Sequence, residues 1–362
     1  MAITGQTAGA QSYADGIKLA QDGHEAYANT IWTGLAERGD RKAMLELGNS
    51  YFYGFGTPTD YVLAEKYYQQ AAELGERYAI YQLGRIYFFG YGVDVNYASA
   101  FEFFQRAADM GDLEGIAAVA YMYDEGLGVA RDRQRSIALN EQAIELGSVT
   151  AMVNLGYAYE VGNGVARNYR RALGYYLSAA KYDDEVAQSN LGLAYKYGRG
   201  VAQDMNEAVR WFSQAAEHEV DVAQYHLGLA YLEGEGTDVD FEQAVYWLEK
   251  AAEQEIEQAQ IKLGDVLGDF ENEKRNPARA EHWYLQALRN GITEVYLDLA
   301  ALYEVPDMSQ QDLVRAYMWY SLADGTIAWM QKLKLQPLLT PDEIDDAKEM
   351  ADLCRESNFW NC

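Results

Sequence analysis

Three sequence markers recur along the chain with one period, and this regularity constrains the fold more than any other feature. Neighbouring members of each marker series, such as Ala71 and Ala107, lie 36 residues apart. The first marker is an alanine, at Ala71, Ala107, Ala143, Ala179, Ala215, Ala251, Ala287 and Ala323. The second is an Asp or Asn, at Asp60, Asn96, Asp132, Asn168, Asp204, Asp240, Asn276 and Asp312. The third is a glycine pair, at Gly54/Gly56, Gly90/Gly92, Gly126/Gly128, Gly162/Gly164, Gly198/Gly200 and Gly234/Gly236. A period of about 20–50 residues is typical of repeat architectures.

Each repeat has the pattern of two helices, here named helix A and helix B. In helix A, Ala79, Leu83, Gly84 and Tyr87 share one helical face. The mid-helix glycine costs about 1 kcal/mol relative to alanine, which predicts the close approach of another helix. The glycine pair ends helix A, and the Asp or Asn that follows suits the N-cap of helix B. A single pair cannot bury its apolar face, whereas stacked pairs can.

This pattern resembles the Sel1-like repeats (SLR), which are relatives of the tetratricopeptide repeats. The matching residues are Leu83-Gly84, Tyr87, Gly90-x-Gly92-Val93, Ala100, Phe104, Ala107-Ala108 and Gly111. The resemblance covers about residues 40–350. It implies an all-α fold, a right-handed α/α superhelical solenoid of 36-residue helix-turn-helix repeats, and a role in holding partners rather than in chemistry.

The pattern predicts three regions. Residues 1–39 form an N-terminal segment and a degenerate capping helix pair, residues 40–325 form eight repeats, and residues 326–362 form C-terminal capping helices with a Cys-containing tail. The third repeat departs from the pattern, with Val119-Ala120 in place of Leu-Gly and Asn140 in place of an aromatic residue. In the eighth repeat, Pro306 is expected to end helix A, and Thr340 and Glu343 form a capping box for the last helix.

The charge balance excludes some partners. The formal net charge is −27, from 29 Lys and Arg against 56 Asp and Glu. Phosphate binding needs a basic stripe, so nucleic acid and anionic membrane surfaces are not expected as partners. No run of about 18 apolar residues is present, so no transmembrane helix is predicted. The acidity favours solubility of a long rod, or else a basic partner or a saline habitat.

Two cysteines, Cys354 and Cys362, lie at the C-terminus. Either they are unrelated thiols, or they form a terminal disulfide, as the resemblance to exported SLR proteins implies. A disulfide indicates an oxidising compartment. Residues 1–10 lack the basic and apolar regions of a signal peptide, so for an exported protein this sequence is expected to be the mature form. The predicted location is periplasmic or secreted, with a cytoplasmic location as the alternative.

Catalytic and metal-binding patterns are weak. The four histidines, His24, His218, His226 and His282, show no ligand spacing. No nucleotide loop, GxSxG motif or P-loop is present. Acidic residues of the altered seventh loop could hold Ca²⁺, but a solvated acidic loop is the simpler interpretation; they are Asp265, Asp269, Glu271 and Glu273. Cysteine-rich SLR relatives are associated with penicillin-type hydrolysis, but this chain lacks their per-repeat cysteines and an SxxK motif. No cofactor, metal or enzymatic activity is expected.

Analogy with tetratricopeptide repeats places the partner-binding groove on helix A. The predicted groove residues are Asn49, Phe52, Tyr53, Tyr81, Arg85, Phe88, Phe89, Tyr121, Tyr157, Tyr197 and Tyr225. Aromatic residues stand where polar ones are more usual at Phe52, Tyr53, Phe88 and Phe89, while Asp124 and Glu160 follow at matching positions. These four aromatics either pack between repeats or form an exposed binding patch.

The sequence therefore predicts a non-catalytic scaffold or adaptor that binds a protein or peptide, with basic segments, in a bacterial envelope assembly. One rival prediction is a carbohydrate-binding or polysaccharide-binding repeat protein, because tyrosines and acids along a groove suit sugars. A second rival is a hydrolase related to the cysteine-rich SLR proteins.

Overall fold

The computed structural model describes residues 12–269, 275–304, 309–360 and 362. Within these residues all regular secondary structure is helical, which confirms the predicted all-α class of repeated helix pairs. The helices fall into two compact units, one ending at Tyr182 (unit 1) and one beginning at Asp183 (unit 2).

Unit 1 contains the N-terminal pair and four repeats. Its helices are α1 (Tyr13–Gln21), α2 (Glu25–Ala36), α3 (Arg41–Tyr53), α4 (Tyr61–Glu73), α5 (Arg77–Phe89), α6 (Tyr97–Asp109), α7 (Leu113–Glu125), α8 (Arg133–Glu145), α9 (Val149–Val161) and α10 (Tyr169–Ala180). From α3 onward, odd-numbered helices are helix A and even-numbered helices are helix B. The predicted first pair, Tyr13–Ala20 and Tyr27–Gly39, corresponds to α1 and α2, with Trp32 buried between them.

Unit 2 continues the same alternation and then departs from it near the C-terminus. Its helices are α11 (Glu185–Tyr197), α12 (Met205–Glu217), α13 (Asp221–Glu233), α14 (Phe241–Glu253), α15 (Glu257–Gly268), α16 (Pro277–Arg289), α17 (Tyr296–Tyr303), α18 (Gln310–Leu322), α19 (Thr326–Leu335) and α20 (Pro341–Glu356). Short 3-10 turns span Thr293–Val295 and Gln336–Leu338. Glu271 and Glu273 of the acidic loop, and Pro306, lie outside the described residues.

Capping residues set the ends of the helices as the repeat pattern predicts. In the first six repeats, helix A ends at a left-handed glycine, as at Gly54 (φ 80°), a conformation that glycine adopts without steric cost. Side chains cap helix B at Asp60, Asn96, Asp132, Asn168, Asp204, Asp240 and Asn276. The prediction is wrong for Asp312, because helix α18 begins three residues earlier. Ser309 is its N-cap, and the Asp312 carboxylate accepts from the Ser309 backbone N–H at 3.0 Å, which closes a capping box.

The mid-helix glycines of helix A lie directly against a helix B ring in most repeats. A methyl group on Gly156 would lie 2.5 Å from a ring carbon of Tyr176, and one on Gly192 would lie 2.5 Å from Phe212. No Cβ fits at such a distance, so glycine permits the close contact that its low helix propensity predicted. Tyr176 and Phe212 are each 1% exposed. The core of most repeats is therefore built around this pairing.

Buried glutamines link successive repeats in unit 2. The Gln224 side-chain amide donates to the Ala216 carbonyl at 3.3 Å and its Oε1 accepts from Gln254 at 2.9 Å. Gln260 repeats the arrangement one period later, donating to Ala252 at 3.3 Å and accepting from Asn290 at 3.2 Å. Because both ends of each buried amide are bonded, these polar side chains add specificity to the stacking without an unsatisfied group.

The C-terminal tail is held by covalent and polar contacts. Cys354 and Cys362 form a disulfide, as the family resemblance implied. Between the two cysteines, the ring of Phe359 is buried. The backbone carbonyl of Phe359 accepts a hydrogen bond from the Arg289 guanidinium at 2.9 Å. The Arg289 guanidinium also lies 3.9 Å from the ring centroid of Trp360. The capping box of Thr340 and Glu343 begins α20 as the sequence predicts.

Alanine substitutions at two glycines of one helix pair should have opposite effects. Gly156→Ala should lower the free energy of unfolding by about 1–2 kcal/mol, because the new methyl group would overlap Tyr176. Gly174→Ala, on neighbouring α10, has no atom within 4 Å of the new methyl group and should raise stability by up to about 1 kcal/mol. Thermal and urea denaturation of both variants tests this expectation. Equal stabilisation by both would show that the glycine contact with the ring is not sterically limiting.

Candidate functional site

The helix A surface of unit 1 brings several predicted groove residues around one cavity. This cavity has a volume of about 460 Å³ and is lined by Tyr81, Arg85, Phe88, Phe89, Phe104, Glu114, Ala117, Ala118 and Tyr121. The lining combines apolar rings with one cation and one carboxylate. We name the group Tyr53, Arg85, Phe88, Phe89 and Tyr121 the aromatic surface.

Two rings of the aromatic surface, Phe89 and Tyr121, are exposed to solvent above the half-buried ring of Phe88. Phe89 is 54% exposed and Tyr121 is 52% exposed. Phe88 is half-buried beneath them, with its ring centroid 4.9 Å from Phe89 and 6.1 Å from Tyr121. Edge-on ring contacts of this kind fix the orientation of the exposed rings. The result is an apolar patch of defined shape that water covers in the free protein.

Phe52 does not belong to the exposed part of this surface. It is only 7% exposed, and its ring packs 5.4 Å from Tyr61 and 5.1 Å from Tyr91. Of the two interpretations open from the sequence, packing between repeats applies to Phe52. Its burial excludes direct contact with a partner, and its place is to support Tyr53, 4.8 Å away and 44% exposed.

Arg85 is held in place by a network of hydrogen bonds. Its guanidinium donates to the Tyr53 hydroxyl at 3.1 Å and to Gln82 Oε1 at 3.0 Å, and lies 5.5 Å from the centroid of the Phe52 ring. The fully buried Gln82 amide donates to the hydroxyls of Tyr53 at 3.2 Å and Tyr78 at 3.0 Å. The cation is therefore pre-oriented, which reduces the entropy cost of binding.

The network also separates the acidities of two tyrosines. Burial raises the pKa of Tyr78 to about 12, and the neighbouring Tyr53 adds to the effect. Burial acts in the same direction on Tyr53, but hydrogen bonds from Gln82 and Arg85 outweigh it and lower the pKa of Tyr53. The Tyr53 oxygen is thus the shared acceptor of the network, with Gln82 and Arg85 as its donors.

Two predicted positions face inward on α3 and α5. Asn49 is half-buried and its Oδ1 accepts from the buried Tyr68 hydroxyl at 2.9 Å. Tyr81 is half-buried, with its ring centroid 5.5 Å from Phe104, and burial raises its pKa. Asn49 therefore supports the core, while Tyr81 forms one wall of the cavity.

The next two repeats place polar groups where the aromatic surface has rings. Asp124 accepts two bonds from Asn163, at 2.7 and 2.8 Å, and lies 3.6 Å from Arg133. Glu160 accepts from the Tyr176 hydroxyl at 2.8 Å. Tyr157 is 57% exposed. Helix A of unit 1 thus changes along the chain from an apolar to a polar surface, as the residue pattern predicts.

The remaining predicted residues, Tyr197 and Tyr225, belong to unit 2. Tyr197 is 52% exposed, and the Arg199 guanidinium lies 5.0 Å from its ring centroid. Tyr225 is half-buried beside His226, with ring centroids 5.3 Å apart. Neither residue is part of the cavity at the aromatic surface.

Two aromatic residues of this region were missed in the sequence. Phe55 and Tyr91 lie between the paired glycines, at the position that the Gly-x-Gly pattern leaves unspecified. Their aromatic character was the signal that could have identified them. Phe55 is 53% exposed and stacks 5.5 Å from Tyr53, whereas Tyr91 lies 5.5 Å from Phe89. They extend the apolar patch onto the loops.

The arrangement has the chemistry of a binding surface. Aromatic rings and arginine are the side chains most often found at interaction hot spots. Among the described residues, no group of three or more His, Cys, Asp and Glu side chains could hold a metal ion. In the same part of the chain, no helix has both the length and the apolar character required to cross a bilayer.

Comparisons with known proteins agree with the architecture. A family model, the Sel1 repeat, matches residues 41–76, 77–112, 113–148, 149–181, 186–219, 221–255, 257–292 and 293–323. The crystal structure of c5321, a protective antigen present in uropathogenic Escherichia coli strains with an SLR fold, is similar with a TM-score of 0.69 and 29% identity, covering 89% of this chain and 70% of that one. A Sel1 repeat protein from Oxalobacter formigenes is similar with a TM-score of 0.60 and 30% identity, covering 68% of this chain and 99% of that one. A search of curated proteins found no match.

The stability of unit 2 should depend on pH through His226. Burial, with a smaller contribution from Lys196, lowers the pKa of His226 from 6.5 to about 4. The Lys196 ammonium lies 3.3 Å from Nδ1, and the ring stacks 5.1 Å from Phe212. Between pH 6.5 and 4 the unfolded chain binds the proton more tightly, so stability falls as the pH is lowered through this window.

This contribution can be measured against a matched variant. Full loss amounts to about 2–3 kcal/mol. His226→Asn introduces the residue found one period earlier, Asn190, and removes the titrating group. The free energy of unfolding of the parent protein, relative to the variant, should fall between pH 6.5 and 4. Parallel pH profiles would contradict the expected role of His226.

Proposed function

Because the chain belongs to the Sel1 repeat family, whose members typically serve as protein-interaction scaffolds, we propose that this protein is a non-catalytic scaffold that binds a protein or peptide at the aromatic surface. The observation that carries the proposal is the exposure of Phe89 and Tyr121 above a cavity of about 460 Å³. Exposed apolar groups around a concavity favour insertion of an apolar side chain, since burial of that surface is favourable.

The positions of the charges support a directional partner segment. Apolar rings at Phe88 and Phe89 are followed, at matching positions of the next two repeats, by Asp124 and Glu160. The net charge of −27 adds a long-range attraction for a basic partner. The segment that fits carries an apolar anchor for the cavity and basic residues beyond it. The net charge rather than Asp124 alone attracts these basic residues, because Arg133 lies 3.6 Å from the Asp124 carboxylate.

The disulfide supports a location outside the cytoplasm. Disulfides such as Cys354–Cys362 persist mainly in oxidising compartments. The c5321 protein is described as a protective antigen. We therefore place this protein in the periplasm or among secreted proteins, as the scaffold of a bacterial envelope assembly.

Partner binding and folding should respond to different residues of the same surface. Peptides selected from a random display library on the parent protein should bind Phe89→Ala about thirtyfold more weakly, at an unchanged melting temperature, because Phe89 is exposed. Phe52→Ala should instead lower the melting temperature, because its ring is buried. Titration calorimetry and thermal denaturation make the two measurements.

Tyr27→Ala is the control for exposed aromatic residues in general. Tyr27 is 72% exposed on α2 and does not line the cavity, so its loss should leave peptide affinity unchanged. Equal affinities for Phe89→Ala and the parent protein would contradict binding at the aromatic surface.

The proposed compartment predicts the state of the two cysteines. Protein directed to the periplasm and alkylated without reductant should gain no mass, because both thiols are in the disulfide. Alkylation after reduction and denaturation should add two groups, one for each cysteine in the sequence. Two groups added without reductant would rule out an oxidised tail in that compartment.

A further inference from the structure

The third repeat replaces both members of the glycine–ring pair. Ala120 stands where Gly84 and Gly156 stand in the neighbouring repeats, and Asn140 stands where Phe104 and Tyr176 stand. The two changes compensate, because a methyl group on helix A leaves no room for a ring on helix B. Asn140 is shorter than a ring, so the space beyond its side chain is not filled.

That space is open as a cavity of about 250 Å³ between repeats three and four. We name it the polar pocket; it is lined by Tyr121, Asp124, Ser136, Asn140, Asn154, Tyr157 and Asn163, with Glu125, Ile137 and Ala158. At about 30 Å³ for each water molecule, the volume corresponds to roughly eight waters, the scale of one sugar ring. The occupant is therefore small.

The floor of the polar pocket is a chain of amides in fixed positions. Asn140 is 4% exposed; its Nδ2 donates to the Ser136 carbonyl at 3.0 Å, and its Oδ1 accepts from Asn154 at 3.3 Å. An amide has two N–H donors and two carbonyl lone pairs, so each of these bonds uses only part of the capacity of Asn140. Paired donors and acceptors of this kind match a ligand whose hydroxyls both donate and accept.

The charges at the pocket are balanced. Arg133 lies 3.6 Å from the Asp124 carboxylate, and Arg131 lies 3.5 Å from the Glu125 carboxylate. With each acid near an arginine, neither a cation nor an anion has a strong electrostatic advantage. The pocket thus favours a neutral polar ligand over a lysine side chain or a phosphate.

Two aromatic rings stand at the rim. Tyr121 is 52% exposed and Tyr157 is 57% exposed, and they occupy the same position in consecutive helix A segments. The negative face of an aromatic ring attracts the weakly positive C–H groups on the flat side of a pyranose. The rings at the mouth can pack on the apolar face of a sugar, and the amides at the floor can form hydrogen bonds with its hydroxyl groups.

We propose that the polar pocket binds a pyranose unit of a neutral carbohydrate. Hydroxyl groups bond to Asn140 and Asn154 at the floor, and the sugar ring packs on Tyr157. The polar pocket shares Tyr121 with the aromatic surface, but Asn140, Asn154 and Tyr157 lie outside that surface. Variants at these residues therefore test the pocket separately from peptide binding at Phe89.

Methyl glycosides of glucose, galactose, mannose, N-acetylglucosamine and N-acetylgalactosamine are the probes for the full-length chain. Saturation-transfer NMR followed by titration should detect binding of at least one. The double variant Ala120→Gly with Asn140→Phe restores the pair found at Gly84 and Phe104, and fills the pocket. It should retain the melting temperature of the parent protein and reduce glycoside affinity at least tenfold.

A second set of variants tests the rim without altering the core. Tyr157→Ala should reduce glycoside affinity at least tenfold, whereas Tyr157→Phe, which keeps the ring, should retain most of it. Tyr246→Ala, at an exposed tyrosine of α14 in unit 2, should bind like the parent protein. If the double variant does not fold, these rim variants still test whether the polar pocket binds a glycoside.

Three outcomes would overturn the proposal. One is the absence of binding by every glycoside of the panel. Another is equal affinity of the parent protein, Tyr157→Ala and the folded double variant. The third is binding of N-acetylglutamine amide or N-acetylarginine amide in preference to the glycosides, which would make the pocket a site for a peptide side chain.

Discussion

The contact between a helix A glycine and a helix B ring is the packing constraint that most of the repeats share. A ring such as Tyr176 lies so close to Gly156 that no side chain fits between the two helices. This contact fills the core of the pair with one large and one minimal residue, beside buried helix A residues such as Ile80, Leu83 and Ile86. Residues two, five and six positions after the repeated leucine differ in type between repeats.

The aromatic residues at these positions of the first two repeats form two layers. Phe52 and Phe88 pack inward, whereas Tyr53 and Phe89, one residue later, project to solvent. The buried layer determines where the exposed rings stand, and the bonds of Arg85 to Tyr53 and Gln82 hold the cation beside them. A surface organised in the free protein loses less entropy on binding than a flexible one.

Hydrogen bonds from tyrosine hydroxyls stabilise some of the carboxylates of this acidic chain. The hydroxyl of Tyr176 donates to Glu160 at 2.8 Å, and that of Tyr320 donates to Glu304 at 2.9 Å. Burial, reinforced by this bond to Glu304, raises the pKa of Tyr320, so the phenol remains a donor. The faces of these helix B rings thus pack in the core, while their hydroxyls donate to helix A carboxylates. The acidic positions of the surface therefore depend on the packing of the rings beneath them.

The sequence by itself determined the period, the helix pairs and most helix ends, because these depend on local chemistry. Glycine at a left-handed C-terminus and Asp or Asn at an N-cap act within a few residues, and the error at Asp312 arose where Ser309 offered a competing cap three residues earlier. Only the tertiary structure decided which side chains are exposed. Phe52 and Phe88 occupy equivalent positions of consecutive repeats, yet Phe52 is buried against Tyr61 and Tyr91, which belong to other elements, whereas Phe88 is only half-buried. The polar pocket likewise depends on the tertiary structure, since residues of consecutive repeats, such as Asn140 and Asn154, line it together.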